Sequence, residues 1–247
     1  MKKSLINLLS LMLLTLVVSC DSFNSITGIS DNDTIEGSRN ILTQNAELSG
    51  FNKVNISHSF DVVITKGDSF SVVYSVDDNL LEHLMIYTAG NILYLGLESD
   101  YNYRNVTLQA EITCPDITDI ELSGASKIEL HDFAFAHDFL FELSGASNLQ
   151  GDLECNNLYG DLSGASRVEL TGRGNNINIE SSGASSLRLG DFWGNDATLN
   201  LSGASMTYLN VVGTINADLS GASILYYYGS PTLGRLNISG GSNVLHL

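Results

Sequence analysis

The chain has 247 residues, with 28 acidic and 11 basic side chains, so its formal net charge at neutral pH is −17. A surface this acidic repels nucleic acids and anionic lipid head groups, which argues against a nucleic-acid-binding function. Only two prolines, 23 glycines and short runs of β-branched and aromatic residues favour an all-β chain with many tight turns.

The first twenty residues resemble a bacterial lipoprotein signal. Lys2 and Lys3 precede an apolar run from Leu5 to Val18, which is too short to span a bilayer. The run is followed by a small residue and then by Cys20, as in a lipobox. We therefore predict that residues 1–19 are a signal peptide and that Cys20 is lipidated. This predicts an outer-membrane lipoprotein on the periplasmic or cell-surface face; an ordinary secretory signal that ends at a cysteine is the alternative.

Residues 20–45 are rich in Ser, Asn, Asp, Thr and Gly and show no sustained apolar period. This composition predicts a flexible tether between the lipid anchor and a folded domain. Cleavage before Cys20 would remove two lysines and no acids, so the mature chain would carry a formal charge of −19.

Residues 46–110 are predicted to form strands of irregular spacing. The runs His58–Thr65, Phe70–Val76 and Ile92–Leu97 have strand composition, and Leu80–Leu84 has that of a short helical turn. Terminal repeats of a solenoid are commonly atypical, so we interpret this region as capping coils of the domain that follows. A separate small β domain is the alternative.

A four-residue motif recurs through residues 111–247 at intervals of 18–21 residues. Apolar residues alternate with polar ones on both sides of it, which is the period of half-buried strands. Further glycines, such as Gly172 and Gly190, mark a second turn in several repeats. The pattern predicts residues 46–247 to be an all-β, right-handed parallel β-helix or solenoid, with about two strands and two tight turns per 19–20-residue coil.

The motif is Ser-Gly-Ala-Ser, or Ser-Gly-Gly-Ser in the last copy. Glycine reaches the backbone angles of a sharp corner, and serine bonds nearby backbone groups, so these residues are predicted to be structural turns. A nucleophile needs one activated serine beside a base, whereas no histidine keeps a fixed offset from the seven copies. The first two residues of the copies are Ser123 and Gly124, Ser144 and Gly145, Ser163 and Gly164, Ser182 and Gly183, Ser202 and Gly203, Ser220 and Gly221, and Ser239 and Gly240.

The repeat also bears on the two remaining cysteines. Cys114 and Cys155 precede the motifs at Ser123 and Ser163 by nearly the same number of residues. This offset places them in one column two coils apart, or ~9–10 Å. Because a disulfide requires Cα atoms within ~7 Å, two free thiols are predicted.

An acidic column is predicted on the outer surface, two residues before each motif. Stacked carboxylates ~5 Å apart repel each other, and hard cations bind clusters of such oxygens, so one hypothesis is a Ca²⁺-binding stripe. The alternative is a solvated surface, screened by salt and by Lys127 and Arg167, that discourages aggregation. No other cofactor is predicted. The candidate ligands are Glu121, Glu142, Asp161, Glu180 and Asp218, with Asn200 and Asn237 at the same offset.

An aromatic group is predicted near the end of the repeats. Tyr208 and Tyr226 share an outward column on adjacent coils, Tyr228 lies two residues further on, and Trp193 lies in a return turn. Exposed aromatic rings could bind sugar rings or a protein partner. Alternatively, they could cover the end of the core.

Several short motifs precede the Ser-Gly-Ala-Ser series in a fixed order: Ser49-Gly50-Phe51 with Val54, Phe60-Asp61-Val62, Ile64-Thr65, Gly67-Asp68 and Asp77-Asp78-Asn79-Leu80. Together with the series, they resemble the putative auto-transporter adhesin head GIN domain, a family common in Bacteroidota lipoproteins. The resemblance covers about residues 46–247. It implies a two-sheet β-superhelix similar to pectin-lyase-like folds, without their catalytic residues, and a role in adhesion.

The leading functional hypothesis is an exported, lipid-anchored, non-enzymatic binding module for adhesion or surface interaction, with a glycan or protein partner. It would contact the membrane only through its lipid, and the sequence sets no oligomeric state. One alternative is a structural or envelope-stress component without a ligand. Another is a β-helix carbohydrate-active enzyme, which the scarcity of basic residues and the columnar arrangement of the acids disfavour.

Overall fold

The computed structural model describes residues 34–247. The predicted signal peptide, Cys20 and the first part of the predicted tether lie outside the described residues. Among residues 34–247, no helix has the length and the apolar character that crossing a membrane requires.

The described chain consists almost entirely of β-strands, with one 3-10 helix at Asp78–His83. The strands are β1 (Thr34–Glu36), β2 (Ile41–Ala46), β3 (Lys53–Ile56), β4 (Asp61–Lys66), β5 (Ser71–Asp77), β6 (Leu84–Ala89), β7 (Ile92–Leu97), β8 (Asn102–Arg104), β9 (Leu108–Cys114), β10 (Asp119–Leu122), β11 (Lys127–Ala134), β12 (Phe139–Leu143), β13 (Asn148–Glu154), β14 (Leu158–Leu162), β15 (Arg167–Arg173), β16 (Asn176–Ser181), β17 (Ser186–Gly194), β18 (Asp196–Leu201), β19 (Met206–Val211), β20 (Thr214–Leu219), β21 (Ile224–Tyr228), β22 (Thr232–Ile238) and β23 (Asn243–His246).

Two long sheets share one hydrophobic core. Sheet 1 has the strand order β22-β20-β18-β16-β14-β12-β10-β3-β7-β6, and sheet 2 has the order β2-β5-β9-β4-β11-β13-β15-β17-β19-β21-β23. From β10 onward each coil contributes one strand to each sheet and pairs in parallel with the next coil. The result is a β-solenoid of about six turns whose stacked strands lie about 20 residues apart, which confirms the predicted fold class.

Alternation along each strand decides which side chains fill the core. In β12, Phe139, Phe141 and Leu143 are buried, whereas Leu140 and Glu142 point outward. Complete burial of such a side chain contributes about 1.5–3 kcal/mol to the free energy of unfolding. A coil buries these side chains only when it stacks on its neighbours, so an isolated coil would not be stable.

The Ser-Gly-Ala-Ser motifs form the corners where sheet 1 strands turn into sheet 2 strands. Gly164 has φ +69°, in the left-handed region that favours glycine, and a Cβ there would collide with the carbonyl oxygen of Gly145 in the preceding coil. The fourth serine of each motif is buried. In the first four motifs its hydroxyl donates to the carbonyl of the first serine, as Ser166 does to Ser163 at 2.7 Å. These serines therefore hold the corner closed.

The opposite corners are stabilised by a ladder of side-chain amides. Asp138 Oδ1 accepts hydrogen bonds from the backbone N–H and Nδ2 of Asn157, at 3.1 and 2.8 Å. Asn157 Oδ1 in turn accepts from the corresponding groups of Asn176, at 3.3 and 2.8 Å, and Asn175 Nδ2 donates to Asn156 Oδ1. The sequence carries a sign of this ladder, since the pair Asn156-Asn157 recurs 19 residues later as Asn175-Asn176.

His137 lies beside this ladder. Its Nε2 lies 2.9 Å from Asp116 Oδ1, and its Nδ1 lies 2.7 Å from the carbonyl oxygen of Asp138. Partial burial acts to lower the pKa of His137, but the hydrogen bonds and charges of Asp116 and Asp138 outweigh it and raise that pKa above its usual value.

The end of the predicted tether is folded. β1 pairs in parallel with β8, and β2 pairs antiparallel with β5 at the edge of sheet 2. The tether prediction is therefore wrong from Thr34 onward. An edge strand needs hydrogen bonds more than apolar side chains, and β2 is largely exposed, so composition did not reveal it.

The stacking order of the first coils differs from their order in sequence. The coil made of β3 and β4 pairs with β7 and β9 on one side and with β10 and β11 on the other. Its corner, Ser57–Phe60, lies in register with the motif at Ser123 and has positive φ at His58 and Ser59. Residues 46–110 therefore complete the same two sheets rather than forming a separate domain.

The position of the β3–β4 coil increases the distance between the two cysteines. Cys114 and Cys155 are free, buried thiols, as predicted. Cys114 ends β9 and Cys155 follows β13, so β4 and β11 lie between their strands. They are separated by three strand spacings, ~14 Å, rather than two.

Candidate functional site

The predicted acidic column exists on the outer face of sheet 1. Glu121, Glu142, Asp161 and Glu180 are aligned in successive strands, followed by Asn200, Asp218 and Asn237 in the same register. The column continues to Asn55, Tyr94 and Tyr87 on the other side of β10. A shallow depression of about 340 Å³ lies over its middle part.

The geometry does not favour calcium on this column. Asp218 forms an ion pair with Arg235 at 2.7 Å and accepts a hydrogen bond from Asn237, while Asn55 donates to Glu121 at 2.6 Å. Each coil contributes at most one carboxylate to the column. Within residues 34–247, no three His, Cys, Asp or Glu side chains converge on a position that could hold a metal ion. The column is an acidic surface with partial neutralisation at its ends.

The outer face of sheet 2 carries the predicted tyrosines beside an arginine. Arg188, Tyr208 and Tyr226 are aligned in β17, β19 and β21. The rings of Tyr208 and Tyr226 are stacked, with centroids 4.7 Å apart and planes 14° apart, and the guanidinium carbon of Arg188 lies 5.8 Å from the centroid of Tyr208. Tyr208 therefore lies between a cation and a second ring, and both faces of its ring are occupied.

The other two predicted aromatic residues lie in the adjacent outward column. A bulge in β17 shifts the register after Leu189, so that Trp193 aligns with Asn210 and Asn210 with Tyr228. Trp193 is 58% exposed and Tyr228 is 36% exposed. We call Trp193, Tyr208, Tyr226 and Tyr228, with Arg188, the aromatic face.

The bulge also makes room for Tyr228. A Cβ on Gly190 would lie 3.0 Å from Cε2 of Tyr228, so the absence of a side chain lets the ring lie against the bulge. Asn210 Nδ2 fixes the bulge by donating to the carbonyl oxygen of Gly190 at 3.0 Å. The result is a concave site on the outer face of sheet 2.

A depression of about 250 Å³ opens at this point, and we call it the arginine groove. Glu169, on its rim, forms an ion pair with Arg167 at 2.6 Å. Arg188 forms no ion pair within residues 34–247, so its guanidinium is held by Tyr208 and retains its hydrogen-bonding capacity. The lining residues are Glu169, Leu170, Thr171, Arg188, Gly190, Asp191, Tyr208 and Tyr228.

Sequence reasoning identified the aromatic residues but missed Arg188, Glu169 and Asp191. The first two occupy the same offset from the motif as Tyr208, so the repeat alignment already placed them in that column. The position of Asp191 depends on the bulge, which no repeat offset predicts.

Solved structures of bacterial proteins share this fold. A putative adhesin from Bacteroides fragilis NCTC 9343 has 21% identity and a TM-score of 0.81, over 86% of this chain and 100% of its own. A putative lipid binding protein from Parabacteroides distasonis ATCC 8503 has 15% identity and a TM-score of 0.72, over 87% and 99%. A putative adhesin from Parabacteroides merdae ATCC 43184 has 12% identity and a TM-score of 0.69, over 87% and 99%.

A search of the curated proteins finds no match. A family described as "Putative auto-transporter adhesin, head GIN domain" matches residues 50–231, which is well over half of the chain and includes six of the seven corner motifs. With the two-sheet solenoid and its serine-glycine corners in place, the chain belongs to this head GIN domain family.

Proposed function

We propose that this protein is an exported, lipid-anchored, non-enzymatic binding module that attaches the cell to a surface ligand through its aromatic face. The observation that carries the proposal is the concentration of exposed Trp193, exposed Tyr228 and Arg188 on one sheet of a strongly acidic protein; Arg188 has no carboxylate partner among residues 34–247. Aromatic and arginine side chains dominate the energetics of recognition surfaces.

The address follows from the amino terminus. The lipobox-like Cys20 supports attachment to the outer membrane by lipid alone, and the adhesin description of the family supports the cell-surface face over the periplasmic one. The rigid stack of coils then displays the aromatic face on a firm support, which reduces the entropy lost on binding.

A catalytic role has little support from the geometry. Most of the repeated serines donate their hydroxyls to backbone carbonyls of their own corner or of the preceding coil, as Ser147 does to Ser144 at 2.7 Å. The carboxylates of sheet 1 form a single file rather than a facing pair of the kind that glycosidases use. The proposal therefore assigns binding without turnover.

A lipid ligand also has less support than a surface ligand. The space between the two sheets is filled by side chains such as Leu149, Leu187 and Phe192, which have no solvent exposure. An acyl chain would need an enclosed apolar cavity there, so the likeness to a putative lipid binding protein is carried by the fold rather than by a shared interior site.

The test is adhesion of cells that express the full chain. Trp193→Ala/Tyr228→Ala should lower adhesion to host-cell or matrix surfaces several-fold, because it removes the two most exposed rings of the aromatic face. The matched control is Tyr159→Ala, which removes a 38%-exposed tyrosine from sheet 1 and should leave adhesion unchanged. Equal adhesion of all three strains, or resistance of the protein to protease added to intact cells, would contradict the proposal.

A further inference from the structure

The arginine groove has the size of a small-molecule subsite. Its volume of about 250 Å³ lies just below the ~300–1,000 Å³ of pockets for drug-sized ligands. A protein partner needs roughly 1,000 Å² of interface or more, which a single depression of this size does not supply. The dimensions favour one compact ring of a larger ligand.

The groove presents hydrogen-bond donors and acceptors next to an aromatic surface. Arg188 contributes donors that no carboxylate within residues 34–247 occupies, while Asp191 contributes two acceptor oxygens and Thr171 a hydroxyl. Tyr228 provides an aromatic ring from the adjacent outward column. A polyol uses all of these groups together, because each hydroxyl both donates and accepts and its C–H surface packs against a ring.

The local charges distinguish a neutral polyol from an ionic one. The groove holds one guanidinium and two carboxylates, those of Glu169 and Asp191, on a chain of net charge −17. An anionic ligand would be repelled by this field, and a cationic ligand would be repelled by the guanidinium of Arg188, which lines the groove. A neutral ligand rich in hydroxyls avoids both kinds of repulsion. It can still accept hydrogen bonds from the guanidinium and donate them to the carboxylates, and such charged hydrogen bonds are stronger than neutral ones.

We infer that the arginine groove binds a neutral sugar residue of a surface glycan. Arg188 and Asp191 hydrogen-bond the sugar hydroxyls, and Tyr228 covers one face of the ring. Trp193 lies two strands from Tyr228 in the same column, ~9–10 Å away, where it covers a further sugar of the same chain. This inference rests on the proposed binding function and adds the ligand class and the residues that read it.

The first test is a glycan array probed with the purified full-length protein. The array carries neutral oligosaccharides that end in glucose, galactose, mannose or N-acetylglucosamine, and acidic ones that end in sialic or uronic acids. Binding to at least one neutral group is expected, and Arg188→Ala should weaken it about 10–100-fold through loss of a charged hydrogen bond. The matched control is Arg235→Ala on sheet 1, which should leave binding unchanged.

A second variant separates a sugar site from a folding defect. Asp191→Asn keeps the shape of an exposed side chain and removes one negative charge. It should weaken the neutral ligand about 10-fold without a change in melting temperature, whereas an acidic ligand would bind it more tightly than the wild type. Binding only to acidic glycans, no glycan binding at all, or neutral binding that both groove variants retain would overturn the inference.

The failure of this inference is distinguishable from that of the proposed function. Periodate oxidation destroys sugar vicinal diols on the target surface and leaves surface proteins largely intact. Adhesion that depends on Trp193 and Tyr228 but survives periodate would overturn the sugar ligand and leave the adhesive role in place, with a protein as the partner. Adhesion that is lost after periodate supports both.

Discussion

The ring of Phe141 occupies the space that a side chain at position 160 would need. A Cβ on Gly160 would lie well inside van der Waals contact with Cζ and Cε2 of Phe141, and 2.9 Å from Cδ1 of Ile179. The three residues are neighbours in one inward column of sheet 1. The glycine is thus required by packing rather than by backbone conformation.

Gly160→Ala is expected to lower the free energy of unfolding by about 1–3 kcal/mol, because a fully packed core does not accept an added methyl group. Urea denaturation measures the change. Phe141→Leu removes the ring atoms that collide with the new Cβ, so the double variant should be more stable than the sum of the two single changes predicts. Additive losses would show that the collision is relieved elsewhere.

Gly164→Ala is expected to lower the free energy of unfolding by more than about 2 kcal/mol. The left-handed conformation alone costs a residue with a Cβ about 1–2 kcal/mol, and the Cβ would also press on the carbonyl of Gly145. Thermal melting compares this variant with Ala165→Gly, a change at the next, exposed residue of the same corner, which should cost about 1 kcal/mol or less. Similar losses for the two variants would argue against the stacked-corner explanation.

Asn157→Ala is expected to lower the free energy of unfolding by about 1–3 kcal/mol, because it interrupts the ladder between Asp138 and Asn176 and leaves polar groups unpaired. The matched control is Asn178→Ala, since the side chain of Asn178 forms no hydrogen bond within residues 34–247. Chemical denaturation of both variants measures the difference. If the control costs as much as Asn157→Ala, the ladder contributes nothing of its own.

The contact between His137 and Asp116 predicts a pH-dependent stability. The folded state raises the pKa of His137 above its usual value of 6.5, so the added stability is fully present below that value. It is lost as the pH rises through the raised pKa. The contact is partly exposed, so about 1 kcal/mol or less is expected.

His137→Gln should therefore destabilise the protein more at pH 5.5 than at pH 8.5, as measured by urea denaturation at each pH. Asp116→Asn removes the partner charge and should abolish most of this dependence. A loss of equal size at both pH values would show that the histidine acts only through packing.

Cys114 and Cys155 are expected to resist alkylation in the folded protein. Burial, with a contribution from Asp116 for Cys114 and from Asp138 for Cys155, raises the pKa of both thiols to about 12, so almost no thiolate is present at pH 8. Mass spectrometry after iodoacetamide treatment should find both cysteine peptides unlabelled in the native protein. Both should be labelled after unfolding in urea without reductant, and a disulfide-linked peptide would refute the assignment.

The regular part of the fold was predictable because a repeat supplies its own alignment. The offsets from Ser123 to Ser239 fixed the register, and the aligned carboxylates and the Tyr208–Tyr226 pair followed from it. The features that the sequence did not predict are all departures from the repeat. The bulge before Trp193 and the place of the β3–β4 coil depend on contacts between distant segments, and the edge strand β2 lacks the apolar pattern that would mark it.

The same limit applies to the candidate site. An offset places a tyrosine on the outer face, but it does not say whether its ring is free. Tyr208 is covered by Arg188 and Tyr226, whereas Tyr228 reaches across Asn210 to Gly190, and only the packed structure distinguishes the two.

The placement of the β3–β4 coil between later segments has a mechanical consequence. A pull from the amino terminus, where the lipid anchor is predicted, first meets β1, which pairs with β8, and then β2 at the edge of sheet 2. Only after these strands does it reach β3 and β4. The strands β3 and β4 are each hydrogen-bonded on both sides, so they must be sheared out of the stack rather than peeled from its end. An adhesive protein under load would thus carry its tension at an interior layer, where more hydrogen bonds break together.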